Sequence, residues 1–122
     1  MNGPAMLDDS RERLAAVLDE LEYHRASEVQ ARLERAIRAE HDAGAIDAPD
    51  LEMRARLVQA DMLQRTGRVT EASGLATEVN RWARQHGPQA LLARSHLVLS
   101  SVLEGIGDAA ACLDHALRAV DL

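Results

Sequence analysis

Histidine is the residue type in this chain with the clearest potential for chemistry, because imidazole binds metals and transfers protons near neutral pH. The five histidines are His24, His41, His86, His96 and His115, and the single cysteine is Cys112. No two histidines are three or four residues apart, and the HExxH motif is missing, so no helix face carries a histidine pair suited to a metal. We interpret the histidines as solvated or edge residues and expect no metal and no other cofactor.

Groups for nucleophilic catalysis or phosphate binding are not placed to act. Asp42 beside His41 and Asp114 beside His115 are sequence neighbours, which point to different parts of a helix. Gly105-Ile106-Gly107 is not followed by the lysine or the further glycine of a phosphate-binding loop. We therefore expect no catalytic residues and no enzyme activity in this chain. The alternative that stays open is a stand-alone small helical enzyme or metal-binding protein.

The composition restricts both the fold class and the partners. The chain has 122 residues, of which 47% are hydrophobic, and every basic residue is an arginine. Phenylalanine is absent and aromatic residues make up 2%, so the core must be built from Leu, Val, Ile and Ala, which excludes an all-β fold. The net charge of −6 and the lack of a basic stripe interleaved with aromatics argue against nucleic acid as a partner.

The sequence carries no recognisable localisation signal. Nowhere do about 18 apolar residues follow one another, so we expect no membrane insertion. The first residues lack a basic stretch followed by an apolar run, so we expect no secretory signal. A lone cysteine cannot form an internal disulfide, which fits a reducing compartment. We expect a cytoplasmic protein.

Apolar residues recur with the spacing of helix faces between breaks that contain glycine or proline. The pattern predicts six helices in three antiparallel hairpins, at about residues 8–42, 50–86 and 89–121. Ser27 followed by Gln30 forms a capping box, and Asp108 is a candidate N-cap for the last helix. We therefore predict an all-α fold in one domain covering residues 1–122.

The predicted turns inside the three hairpins recur at a fixed offset of 40 residues, at Ser27, Gly67 and Gly107. Apolar positions on both sides recur at the same offset. These columns include Val17, Leu57 and Leu97; Leu18, Val58 and Val98; and Ala36, Ala76 and Ala116. Aligned turns with aligned apolar flanks indicate stacked repeat units. An irregular helical bundle is the alternative architecture.

Small and apolar residues around the second and third turns resemble the tetratricopeptide repeat, a helix-turn-helix unit. The matching residues are Ala60, Leu63, Gly67, Val69, Ala72 and Ala76 in the second unit and Leu99, Ser100, Leu103, Gly107, Cys112, Ala116 and Ala119 in the third. The first unit departs from the family at Glu20 and Arg32, where a small side chain is expected. The resemblance implies a right-handed solenoid segment that binds other proteins and has no catalysis of its own.

A second resemblance covers residues 82–122, which begin Trp-Ala-Arg-Gln-His-Gly-Pro and end Ala-Val-Asp-Leu. This stretch is similar to the repeat region that precedes the GGDEF domain in actinobacterial diguanylate cyclases. The catalytic Gly-Gly-Asp-Glu-Phe signature is absent from the chain. The resemblance implies a sensory or dimerisation segment at the N-terminal side of a larger signalling protein, with the cyclase chemistry elsewhere in that protein.

In stacked helical hairpins, the first helix of each unit lines a concave groove. Here that surface combines an arginine rim with a leucine floor, which suits an extended or helical peptide that carries carboxylates. The candidate groove residues are Arg54, Leu57, Asp61 and Arg65 in the second unit and Arg94, Leu97, Ser101 and Glu104 in the third. A protein or peptide is therefore the expected partner.

The last predicted helix carries apolar residues up to its end, at Leu117, Val120 and Leu122. A free-standing solenoid needs a polar terminal face. We therefore expect either that the natural chain continues as part of a larger protein, or that this helix packs on a second copy in a homodimer.

Overall fold

The computed structural model describes residues 3–23, 28–105 and 109–121. They form six α-helices: α1 (Gly3–Tyr23), α2 (Val29–Ala45), α3 (Pro49–Arg65), α4 (Val69–His86), α5 (Gln89–Gly105) and α6 (Ala109–Asp121). The prediction of an all-α fold with six helices is confirmed. The helix α1 begins before the predicted start at about residue 8.

The α3–α4 turn depends on a glycine. Gly67 has a φ of +84°, a left-handed conformation that is strained for residues with a Cβ. The backbone amide of Arg68 donates to the Leu63 carbonyl at 2.9 Å, which satisfies one of the free carbonyls at the end of α3. The other two predicted turn residues, Ser27 and Gly107, lie outside the described residues.

The start of α2 differs from the predicted capping box. The N-cap residue is Glu28, which has a left-handed φ of 59° and makes no side-chain capping hydrogen bond. Ser27, the predicted cap, is outside the described residues, and so is Asp108 ahead of α6. The beginning of α2 is therefore held by tertiary packing more than by a local cap.

Each helix packs against the next one along the chain, and α3 also packs against both α1 and α5. Among the described residues, α2 makes no contact with α4, and α4 makes none with α6. The helices α1, α3 and α5 therefore lie side by side in one layer. The right-handed stacking that the tetratricopeptide resemblance implies stays a prediction.

The core consists of leucine, valine, methionine and many alanines. Ala36 and Ala76, which share a predicted column, are both completely buried, and so are Ala55, Ala60 and Ala72. Alanine lets helix backbones approach closely and adds no strain to the helix itself. The largest fully buried side chains are Leu18, Leu21, Leu51, Leu57, Met62, Val79 and Val102, spread over five of the helices. One continuous set of contacts thus joins α1 to α5.

Arg32 explains the departure of the first unit from the tetratricopeptide pattern. Its side chain is buried, and its Nη2 donates to the backbone carbonyl of Leu21 in the last turn of α1, while its Nε has no hydrogen-bond partner. A cation at a helix C-terminus is favourable because the last carbonyls carry partial negative charge. A large residue at this position therefore links α2 to the end of α1.

Two sets of ion pairs brace the helices away from the groove described below. Arg56 on α3 binds Glu40 of α2 at 2.9 Å and Glu78 of α4 at 2.6 Å. At the start of α3, Asp50 accepts hydrogen bonds from Arg11 of α1, and this guanidinium lowers the pKa of the Asp50 carboxyl below its ordinary value. Both sets connect neighbouring helices through bonds that sequence spacing does not reveal.

Candidate binding groove

A groove with a volume of about 630 Å³ lies between α1, α3 and α5. We call it the inner groove. Its lining residues are Asp19, Leu21, Glu22, Leu57, Val58, Asp61, Arg65, Arg94, Leu97, Val98, Ser100 and Ser101. Six of the eight residues predicted from the sequence are therefore brought together: Leu57, Asp61, Arg65, Arg94, Leu97 and Ser101. The other two, Arg54 and Glu104, are not among the lining residues.

The floor of the inner groove is apolar, but its two leucines are not equivalent. Leu57 is 1% exposed and belongs to the core between α3, α4 and α5, whereas Leu97 is 52% exposed. The repeat offset makes these two residues counterparts on α3 and α5. Leu97 is therefore the apolar side chain of this floor that is most available to a partner.

The arginines at the rim are held by carboxylates of the chain itself. Glu22 of α1 is largely buried and accepts two hydrogen bonds from Arg54, at 3.0 and 2.8 Å. It also pairs with Arg94 of α5 at 2.6 Å, and Asp19 takes a further bond from Arg54 at 2.7 Å. Hydrogen bonding to Glu22 raises the pKa of the Arg54 guanidinium, so this arginine stays charged. The cluster of Asp19, Glu22, Arg54 and Arg94 joins α1, α3 and α5, and we call it the α1 clasp.

The sequence analysis missed the carboxylates of the α1 clasp. Asp19 and Glu22 are three residues apart and lie on one face of α1, and that spacing is the only available signal. Further along the groove, Arg65 pairs with Asp61 one turn away on α3, at 3.3 Å, and not with Glu104. The rim therefore presents charges of both signs, where the sequence predicted an arginine surface for partner carboxylates.

The histidines need a correction. His41 and His86 are exposed, as expected, but His96 is only 3% exposed, so its interpretation as a solvated or edge residue is wrong. Its Nδ1 lies 2.8 Å from Nδ1 of His115 on α6. The signal was invisible because the two residues are 19 positions apart and meet only when α5 packs on α6. His24 and the side chain of Cys112 lie outside the description.

The histidine pair is not by itself a metal site. Among the described residues, no group of three or more His, Cys, Asp or Glu side chains is arranged to hold a metal ion. Two imidazoles supply half of a tetrahedral ligand set. The distance of 2.8 Å between the nitrogens is that of a hydrogen bond.

The outer face of α6 carries a row of exposed apolar side chains. Leu113, Leu117 and Val120 are 60%, 55% and 80% exposed and recur at the spacing of one helix face. In the described part of the chain, α6 contacts only α5. This row, the outer row, is therefore uncovered by any described element.

None of the described helices is both long enough and apolar enough to cross a membrane. Comparison of the chain with protein-family models, with curated proteins and with solved structures found no match.

Proposed function

We propose that this chain is a non-catalytic protein-interaction module that binds an acidic amphipathic segment of a partner protein in the inner groove. The observation that carries the proposal is the exposed Leu97 in an apolar floor beside Arg94. Peptide-binding grooves combine an apolar contact that supplies affinity with polar rim groups that fix orientation. A segment with an apolar row and a flanking carboxylate meets both needs.

Arg94 can bind a partner carboxylate while it still holds the α1 clasp. Its ion pair with Glu22 is made through one nitrogen, Nη1, and its side chain is 38% exposed. A guanidinium has five N–H donors in a planar fork, so donors are left for a second carboxylate. Arg54, by contrast, directs both Nε and Nη2 to the acids of α1. Among the two clasp arginines, Arg94 is therefore the better candidate for contact with a partner.

The proposal extends to the context of the module. The resemblance to the tetratricopeptide repeat supports a right-handed stack of hairpins, with the layer of α1, α3 and α5 on its concave side. The similarity of residues 82–122 to the region before GGDEF domains supports a regulatory role within a larger signalling protein, such as an actinobacterial diguanylate cyclase. In that setting, a partner bound in the inner groove would change the arrangement of the domain that follows.

The groove proposal is tested with peptides of about four helical turns selected from a phage-displayed random library on the immobilised protein. We expect the selected peptides to carry an apolar helical row with acidic neighbours. Leu97→Asp should weaken their binding at least tenfold, or by about 1.4 kcal/mol, because it places a charge in the apolar floor. Fluorescence anisotropy measures the dissociation constants.

The matched control is Ile37→Asp, since Ile37 is equally exposed, at 50%, but lies on α2 outside the inner groove. Peptide binding should be unchanged in this variant. Equal binding to the Leu97→Asp variant and the original chain would contradict the proposal, and so would equal loss in both variants. Stoichiometric zinc or iron in the purified protein would instead favour the alternative of a metal-binding protein or enzyme.

A second candidate function, homodimerisation, is favoured by the outer row on α6. Two copies that pack these rows together would bury three large side chains each, which is less than a standard interface, so we expect a weak dimer. Sedimentation equilibrium between about 10 μM and about 1 mM should show the mass rising from 13.3 kDa towards twice that value. Leu117→Asp should keep the chain monomeric, whereas Leu97→Asp should not. A constant mass of 13.3 kDa would exclude this candidate.

A further inference from the structure

A chain of hydrogen bonds runs through the interior from α4 through α5 to α6. Nδ2 of Asn80 lies 3.3 Å from Nε2 of His96, and Nδ1 of His96 lies 2.8 Å from Nδ1 of His115. Asn80 and His96 are both buried, at 6% and 3% exposure. Buried polar groups are costly unless they are paired, so each contact in this chain must have one donor and one acceptor.

The donors and acceptors can be assigned from the chemistry of the groups. Nδ2 of an asparagine can only donate, so Nε2 of His96 must accept and its proton is on Nδ1. That Nδ1–H donates to Nδ1 of His115, whose own proton is therefore on Nε2. The orientation of Asn80 is fixed by a second bond, because its Nδ2 also donates to Oγ of Ser95 at 3.0 Å. Ser95 in turn donates to the Leu92 carbonyl at 2.7 Å.

This arrangement has no place for an additional proton. A proton on Nε2 of His96 would face the amide hydrogens of Asn80, and a proton on Nδ1 of His115 would face the Nδ1–H of His96. In both cases a hydrogen bond becomes a contact between two donors inside the protein. Protonation of either imidazole therefore breaks the chain of hydrogen bonds.

The charges around the pair also oppose protonation. Burial is the largest cause that lowers the pKa of His96 from its ordinary value of 6.5, followed by His115 and then Arg84 of α4 and Arg118 of α6. Asp114 acts in the opposite direction, but it is held by Arg118 at 3.0 Å. The side chains that α3 contributes to its core cluster with α5 are apolar.

We propose that the Asn80–His96–His115 chain is a proton-operated joint that holds α6 on α5 at neutral pH and loosens it on acidification. The placement of the pair supports this role, because α5 is the only described helix that α6 contacts. A helix attached on one side can separate without unfolding the rest of the molecule. The other described helices share the three hydrophobic clusters with one another and do not depend on the pair.

The direction of the pH effect follows from proton linkage. Because the pKa of His96 is lower when α6 is docked than when it is released, the released state binds more protons below pH 6.5. Docking is therefore fully favoured above the ordinary imidazole pKa and weakens as the pH falls through the range below it. One unit below the released pKa, each imidazole that stays neutral while docked weakens docking by up to about tenfold.

The first test is NMR of the imidazole nitrogens in the unmodified chain. At pH 7.5 we expect His96 as the Nδ1–H tautomer and His115 as the Nε2–H tautomer. Hydrogen exchange, corrected for the intrinsic pH effect, should show protection of the α6 amides falling about tenfold relative to α3 amides between pH 7.5 and 5.5. An Nε2–H tautomer at His96, or unchanged relative protection of α6, would overturn the proposal.

The second test compares two variants. His115→Asn removes one titrating member of the joint and should abolish most of the pH dependence of α6 protection, whereas His41→Asn, at an exposed histidine of α2, should leave it unchanged. If both variants keep the full pH dependence of the original chain, the joint is not its source and the proposal fails. If the His115 variant does not fold, the NMR measurements on the unmodified chain decide the question.

Discussion

Replacement of Leu57 by alanine is expected to lower the free energy of unfolding by about 3 kcal/mol. Leu57 is 1% exposed and packs in the cluster that contains Val79, Leu91 and Leu99, so three helices meet at its side chain. Removal of its terminal atoms loses the burial of apolar surface and leaves a cavity that the surrounding helices can only partly close. Urea unfolding followed by circular dichroism measures the change.

The matched control for this prediction is Leu97→Ala. Leu97 occupies the same register position on α5, 40 residues later, but is 52% exposed, so its truncation should change the free energy of unfolding by less than about 0.5 kcal/mol. The comparison separates core packing from helix propensity, because both variants replace leucine with alanine in a helix. Similar effects at both positions would show that the assignment of Leu57 to the core is wrong.

The helices and the position of the best turn could be predicted from the sequence because both signals are local. Leucine and alanine recur with helical spacing, and Gly67 supplies the left-handed turn between α3 and α4. The predicted column of Ala36 and Ala76 is fully buried because a repeated small residue lies where helices approach most closely. The burial of Leu57 and the exposure of Leu97 could not be predicted, since the repeat offset treats them as equals.

The repeat offset also relates polar contacts that no local pattern shows. Glu40 of α2 binds Arg56 of α3, and 40 residues later Asn80 of α4 contacts His96 of α5. Both pairs therefore lie at the same position between an even-numbered helix and the odd-numbered helix that follows it. This correspondence supports the 40-residue repeat more strongly than the apolar columns do, because alanine and leucine match by chance in a chain rich in both.

The candidate groove was predicted in its position but not in its charge. Residues of α3 and α5 come together because their separation in sequence matches the repeat. The contribution of α1 was missed, since the first unit fits the repeat pattern least well. Asp19 and Glu22 then take up the arginine that the sequence placed at the rim, Arg54. A pairwise offset finds equivalent positions, but it does not predict contacts between different units.

The substitution Glu22→Lys is expected to lower the free energy of unfolding by about 3 kcal/mol. Glu22 is the only member of the α1 clasp that contacts both Arg54 and Arg94, and its side chain is 14% exposed. The change removes three charge-assisted contacts and places three cations together at the junction of α1, α3 and α5. The full cost of a broken buried pair would be larger, but the partial exposure of Arg94 reduces it.

The control has the same change of charge in the same helix. Asp9 of α1 pairs only one turn away with Arg13, and both side chains are well exposed, so Asp9→Lys should change the free energy of unfolding by less than about 0.5 kcal/mol. Urea unfolding at low and high salt provides the measurement. Added salt should remove most of the small effect at Asp9 and only part of the large effect at Glu22, because the less exposed contacts are screened less. Equal losses in the two variants would mean that α1 is held by its apolar face alone, and that the arginines of the inner groove are as accessible to a partner as the sequence first predicted.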